Sequence, residues 1–229
     1  MVEIKYLGHS GFSIKHGDVK IVIDPFLTGN PLAKQKPEHI EADYVLISHA
    51  HGDHSSDGFS IAARCGATII SCYEIAVRAK QKGIKSHGLH IGGSYTFPFG
   101  KIKLTIAHHG SSFFDKTGNP VNLGTPCGFL IDLGETLIYH SGDTGLFLDM
   151  KLIGELNKID IAMLPIGGNY TMDENDALKA VEFLKPKFVI PMHYNTFDLI
   201  KADPNDFKKS AASICEEVVI LNVGDSKIF

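Results

Sequence analysis

Residues 44–54 read Tyr44-Val45-Leu46-Ile47-Ser48-His49-Ala50-His51-Gly52-Asp53-His54. The apolar run suits a strand buried on both faces. It leads directly into three histidines and one aspartate within six residues, spaced H-x-H-x-D-H. Imidazole and carboxylate are good ligands for zinc and other borderline divalent ions. At a strand end all four side chains can point into one space, and Gly52 permits the tight turn that so crowded a loop needs. A polar surface loop that gathers three histidines by chance is a much weaker explanation, because histidine is a rare residue.

The flanking chain supplies the frame for this loop. Residues 2–7 form a short apolar run broken by Gly8. Residues 11–15 and 19–23 flank His16-Gly17-Asp18, a hairpin signal, and Asp24-Pro25 stops the second strand. Helical spacing follows at 57–65 and 73–82, with a strand at 67–71 between them. A second β-rich block covers 94–97, 101–107, 127–133 and 136–139. Helix and strand then alternate through 150–157, 159–164, 173–184, 188–191, 205–215 and 218–221. Each half thus runs from hairpins into α/β. This order predicts an α/β (α+β) fold, a four-layer αββα sandwich of two mixed β-sheets with helices on the outer faces. A single domain over residues 1–229 is expected, since there is no repeat, low-complexity tract or long linker.

Composition narrows the class. A chain of 229 residues, 44% hydrophobic and 21% charged, can bury a full core without disulfides and is neither disordered nor fibrous. The net charge of -4 and pI near 6.3 provide no basic footprint, so no nucleic-acid partner and no anionic membrane surface are expected. No apolar run reaches the ~18 residues of a membrane span. The N-terminus lacks the pattern of a signal peptide, which predicts a cytoplasmic protein. Cys65, Cys72, Cys127 and Cys215 form no C-x-x-C pair and read as reduced, mostly buried residues. The residues set no oligomeric state, and a homo-oligomer is compatible with them.

Further candidate ligands stand at the ends of other predicted strands: His108-His109 before Gly110-Ser111, His140 and Asp143 in Tyr139-His140-Ser141-Gly142-Asp143-Thr144, and His193 in Pro191-Met192-His193-Tyr194. Strand ends that feed Gly-rich or polar loops are where α/β proteins assemble their sites.

With H-x-H-x-D-H followed in order by a later His, an Asp in a G-D-T turn and a final His, the chain resembles the metallo-β-lactamase superfamily over nearly its whole length. Gly8-His9-Ser10, the 23–31 stretch Ile-Asp-Pro-Phe-Leu-Thr-Gly-Asn-Pro, His90-Ile91-Gly92-Gly93, His109-Gly110-Ser111-Ser112, Leu164-Pro165-Ile166-Gly167 and the 191–197 stretch narrow it further. They resemble the small bacterial and archaeal metal-dependent hydrolases related to ascorbate-phosphate lactonases. The resemblance implies a binuclear site: His49, His51 and His109 hold one divalent ion, Asp53, His54 and His193 a second, and Asp143 bridges them. His109 is preferred to His108 because it immediately precedes Gly110-Ser111-Ser112, as the family's ligand does. Zinc is the expected metal, with Mn²⁺ or Fe²⁺ as alternatives.

The implied activity is a hydrolase in which a metal-bridging hydroxide attacks an ester, a lactone or a phosphodiester, with Asp53, Asp143 and His193 as the catalytic residues. Two dications against Asp53, Asp143 and one hydroxide leave a charge of about +1, which favours a small anionic substrate. The rival reading is a non-catalytic metal-binding or ligand-sensing protein on the same fold. Among the remaining residues, Asp24 is expected to buttress the histidine loop. His9 either approaches the metals or lies on the surface. His140 is expected in the core, and His108 behind the ligands or in the core. His16, His39 and His87 are expected on the surface, and His90 has no assigned role. Asn169, Tyr170 and Thr171 either line the pocket or form a turn that caps the helix beginning near Asp173. Tyr194 and Asn195 are candidates for substrate contacts, and Phe113 and Phe114 for a pocket wall or the core.

Overall fold

The structure, a computed structural model, describes residues 1–229. β1 (Val2–Gly8), β2 (Gly11–His16) and β3 (Val19–Ile23) form an antiparallel meander. β4 (Tyr44–Ile47), α1 (Gly52–Cys65), β5 (Thr68–Cys72), α2 (Tyr73–Gln81) and β6 (Ser86–Leu89) then extend this sheet in parallel. The second half repeats the plan. β7 (Ser94–Phe97), β8 (Gly100–Ile106), β11 (Cys127–Asp132) and β12 (Leu137–His140) are antiparallel neighbours. β13 (Ile161–Pro165), β14 (Phe188–Met192) and β15 (Glu217–Val218) continue in parallel. They are interleaved with α3 (Asp149–Leu156), α4 (Glu174–Leu184) and α5 (Pro204–Ala211). A two-stranded ribbon, β9 (Ser112–Phe114) and β10 (Pro120–Asn122), stands apart, and β16 (Ser226–Ile228) returns to pair with β1. The result is two seven-stranded mixed sheets, as the order of predicted elements requires.

Side-chain alternation assembles the layers. Phe129, Ile131, Ile138, Ile161, Met163, Ile190 and Met192 point inward to the core shared with Phe12, Ile14, Ile21 and Val45 of the first sheet. The intervening Leu130, Tyr139, Ala162, Leu164 and Val189 point outward beneath Ala177, Ala180 and Val181 of α4 and Phe207 of α5. One residue of register shift in any of these strands would exchange the two faces. α1 and α2 cover the outside of the first sheet. No helix is long and apolar enough to cross a membrane.

Several local expectations are corrected. The helix expected at 57–65 begins five residues earlier, at Gly52. Its first turn, Asp53-His54-Ser55-Ser56, carries no apolar periodicity: Asp53, His54 and Ser55 are committed to polar contacts and Ser56 is exposed. The helix expected at 205–215 ends at Ala211, and the strand expected at 218–221 is the two-residue β15. β6, β9, β10 and β16 had no clear sequence signal, being short segments whose pairing comes from the rest of the sheet or from each other.

Both sheets change from antiparallel to parallel pairing, at β3/β4 and at β12/β13. Ligands in open α/β sheets bind beyond the carboxyl ends of the strands. Asp24 follows β3, His49 follows β4, Asp143 follows β12 and His193 follows β14.

Candidate metal centre

Three donors from the first half and its partner sheet converge first. His49 Nε2 lies 2.9 Å from His51 Nδ1, and His109 Nε2 lies 3.3 Å from the same atom. A tetrahedral ion with Zn–N bonds of ~2.0–2.1 Å separates its ligand nitrogens by about 3.3 Å. The Ser48 hydroxyl donates to Asp24, so its oxygen accepts from Nδ1 of His49 at 2.9 Å. His49 Nε2 is then bare and directed at the other two rings. Burial drives the pKa of His49 well below its ordinary value and lowers those of His51 and His109, which keeps these rings in the unprotonated form a metal requires.

The second group comprises Asp53, His54 and His193, with His9 within the same reach. Asp53 and His54 occupy the first turn of α1, whose positive dipole end favours an ionised carboxylate. Asp24, fully buried, accepts from the Ser48 amide at 2.7 Å and from His54 Nδ1 at 2.9 Å. That leaves His54 Nε2 buried with no hydrogen-bond partner, 3.2 Å from Asp143 Oδ2. Burial alone would lower the His54 pKa. The carboxylates of Asp143, Asp53 and Asp24 outweigh it and raise the pKa well above its ordinary value. A proton on His54 thus occupies a place where a cation would be stabilised. Burial opposes ionisation of Asp53 and Asp143, yet His54 holds both low, joined by His9 at Asp53 and by His193 at Asp143.

Asp143 joins the two groups. Its Oδ2 is 2.9 Å from His193 Nε2, 3.2 Å from His54 Nε2 and 3.8 Å from His109 Nε2, while Oδ1 accepts from Ser10 Oγ at 3.2 Å. Left-handed backbone puts several of these side chains in place: φ is +59° at His9, +40° at Asp24 and +53° at His193. Non-glycine residues reach this region at a cost of roughly 1–3 kcal/mol each, and such strain concentrates at functional sites. Gly167 accommodates the His193 turn, since a Cβ there would lie 2.2 Å from the His193 carbonyl oxygen.

All seven residues expected from the resemblance are brought together. His108 is not in the core: it is exposed, stacked on Phe147 at 4.9 Å, and its amide donates to Thr144 Oγ1 in the Asp143 loop. His9 is buried rather than on the surface. His140 is in the core as expected, and it has a definite task. Its Nδ1 accepts from the Gly142 amide at 3.1 Å and its Nε2 donates to the Ser10 carbonyl at 3.0 Å, which ties the Asp143 turn to the β1–β2 turn. Asn195 bonds both ways to the Ala202 backbone and closes its own loop, so it is not free for substrate. Asn169 and Tyr170 are exposed in a turn, and the cap of α4 is Asp173. Phe113 packs under the Arg78 guanidinium and Phe114 is 72% exposed, so neither is in the core. His39 and His90 are exposed, whereas His16 and His87 are half-buried. Cys72 and Cys127 are buried and all four thiols are free. Asp57 is a further supporting residue that the sequence does not mark. It accepts from the Leu27 and Thr28 amides at 2.7 and 2.8 Å and fastens the loop after Asp24 to α1. No sequence pattern marks that contact, which spans 30 residues.

The chain is similar to known proteins over its whole length. A family described as the beta-lactamase superfamily domain matches residues 3–193. A UPF0173 metal-dependent hydrolase of Pelotomaculum thermopropionicum is 55% identical over 226 residues, covering 98% of this chain and 99% of that protein. Another, from Carboxydothermus hydrogenoformans, is 49% identical over 225 residues, with 98% of each chain covered. The structure of Igni18, a metallo hydrolase from the archaeon Ignicoccus hospitalis, matches with a TM-score of 0.90 at 41% identity, covering 100% of this chain and 99% of that one.

Proposed function

The chain belongs to the beta-lactamase superfamily, among the UPF0173 metal-dependent hydrolases, and from that premise we propose a hydrolase with two divalent ions per chain, zinc in the first instance. His49, His51 and His109 hold one ion, Asp53, His54 and His193 the other, and Asp143 bridges them. The observation that carries this reading is the position of Asp143 Oδ2 within 3.8 Å of nitrogens from both groups. The buried, unpartnered Nε2 of His54 and the converging bare nitrogens of the first group fit cations and little else. When bound, the ions would acidify a water molecule and polarise the oxygen of the substrate under attack.

The protein's own residues do the rest. Asp24 sets the tautomer of His54 directly and that of His49 through Ser48, the kind of support that metal-binding histidines use. Ser10 holds the remaining oxygen of Asp143. The Asp53 side chain is 32% exposed, against 3% for Asp143, so it is the carboxylate that meets solvent and substrate. Asp53 and Asp143 offset only half the charge of two dications, which suits a small anionic substrate. An ester or lactone is the first substrate class and a phosphodiester the second. The whole chain acts as one domain in the cytoplasm, with no nucleic-acid or membrane partner.

The test is a panel of small esters, lactones and phosphodiesters, run with zinc-loaded and chelator-stripped protein. Turnover of one class, lost on stripping and in Asp143→Ala, is the expected result. Fully loaded protein that turns over none of the panel would overturn it in favour of a metal-binding or ligand-sensing role.

A further inference from the structure

His9 lies in the β1–β2 turn, 1% exposed and in left-handed backbone. Its carbonyl accepts from the Tyr6 hydroxyl at 2.9 Å and from the His193 amide at 2.7 Å. Its ring is fixed on every side. Nε2 is 3.2 Å from Asp53 Oδ2, Nδ1 is 3.0 Å from Thr196 Oγ1, and the ring centroid is 4.0 Å from that of His193. Phe26 and Phe197 close the ring's outer edges at 5.4 and 5.6 Å.

Hydrogen-bond chemistry decides what this ring can do. An ionised carboxylate only accepts, so the proton of a neutral His9 is on Nε2 and is donated to Asp53. Nδ1 is then the acceptor, and the Thr196 hydroxyl supplies its hydrogen. A nitrogen that carries a proton has no lone pair for a metal. His9 lies within ligand reach of Asp53, His54 and His193, but both of its ring nitrogens are engaged. His193 Nδ1, by contrast, has no partner and can carry the ring proton that frees Nε2 for a metal. The network of His9 makes it a holder of a ligand.

We propose that His9 is a positioning residue for the second ion: it engages Oδ2 of Asp53 and leaves the other oxygen for the metal, with Thr196 fixing the tautomer. This rests on the two-ion reading above. His9 also spans the fold, since Asp53 is 44 residues away in sequence and Thr196 is 187. It connects the first turn of α1 to the loop after β14, the two places that supply the second group. The first group, His49, His51 and His109, has no hydrogen bond to it.

The test is calorimetric titration of metal-stripped protein with Zn²⁺ alone. His9→Asn tolerates left-handed backbone but is too short to reach Asp53. The expected result is a first binding step within about threefold of wild type and a second step weakened about 10–100-fold, the usual effect of removing a ligand's hydrogen-bond partner. Thr196→Val, which leaves the ring in place, is expected to weaken the second step by a smaller factor. His9→Gln, whose amide can donate to Asp53, is expected to recover part of the loss. Two wild-type steps left unchanged by His9→Asn would overturn the inference alone. Equal weakening of both steps, with a lower Tm of the metal-free protein, would also overturn it, in favour of a merely structural role. A wild-type protein with only one binding step would remove the two-ion premise itself.

Discussion

The two donor groups are held in different ways. The rings of His49, His51 and His109 pack against one another, with His54 against His49 at 4.1 Å, and their one hydrogen bond from outside is Ser48 on His49. They are neutral, and burial keeps them so. The second group is tied more firmly from outside: His54 by Asp24, Asp53 by His9, the shared Asp143 by Ser10, and the backbone amide of His193, though not its ring, by the His9 carbonyl. That group also holds the charge, with two carboxylates against a histidine that stays protonated without metal. The contrast teaches that outside hydrogen bonds can arrange the carboxylates of a two-ion site before any ion arrives while still leaving His54 Nε2 and His193 Nδ1 unpartnered, whereas the first three rings face one another with a single outside bond. Asp143 and Asp24 are the points where the halves meet.

Removing a meeting point should have the largest effect. Asp143→Ala takes a ligand from both groups, and hydrolysis by the variant is expected to fall by more than about 10³-fold in kcat/KM, roughly 4 kcal/mol of transition-state stabilisation. Asp24→Ala comes next. It leaves the Ser48 amide and the His54 Nδ1 proton buried without an acceptor, at roughly 1–3 kcal/mol for each orphaned group. Urea unfolding of the metal-free variant measures this, and an unchanged midpoint would show that Asp24 supports neither half.

A backbone change sharpens the comparison further. At Gly167 a Cβ would collide with the His193 carbonyl and lie 2.9 Å from Ile200 Cβ. Gly167→Ala is expected to cost about 1–3 kcal/mol, as overpacking does, and to weaken the second metal-binding step more than the first. Equal weakening of the two steps would blur the distinction between the groups.

The smallest effect is the pH dependence of the metal-free protein. His9, His49, His51, His109 and His140 all have folded pKa values below the ordinary one, chiefly through burial, with His9 at about 4. The unfolded chain therefore binds more protons below pH ~6.5, and stability falls as pH drops from there toward ~4. His54 acts in the opposite sense. Its raised pKa contributes stability that is complete below ~6.5 and lost as pH rises through the folded value. Five groups against one set the net sign: a lower urea midpoint at pH 5 than at pH 7. A midpoint that rises on acidification would mean that the first group is not held neutral.

Legibility in the sequence followed the range of the contacts. The H-x-H-x-D-H loop was readable because its donors are neighbours in the chain, and the layers because inward and outward residues alternate in β11 to β14. The start of α1 was not, since Asp53 and His54 turn their side chains to the site and leave no apolar stripe to mark the first turn. Asp24 could be anticipated as a support, but its connection through Ser48 to His49 could not. His9 was ambiguous because both of its ring partners are distant in sequence. The β9–β10 ribbon is not legible because three-residue strands lack a period long enough to detect.

The central claim is two ions held by two distinct groups, and metal content tests it most directly. Elemental analysis of protein purified without added metal should give about two divalent ions per chain, falling to about one in both His109→Ala and Asp53→Ala. About one ion in the wild type, retained when either residue is removed, would contradict it and point to a single structural site.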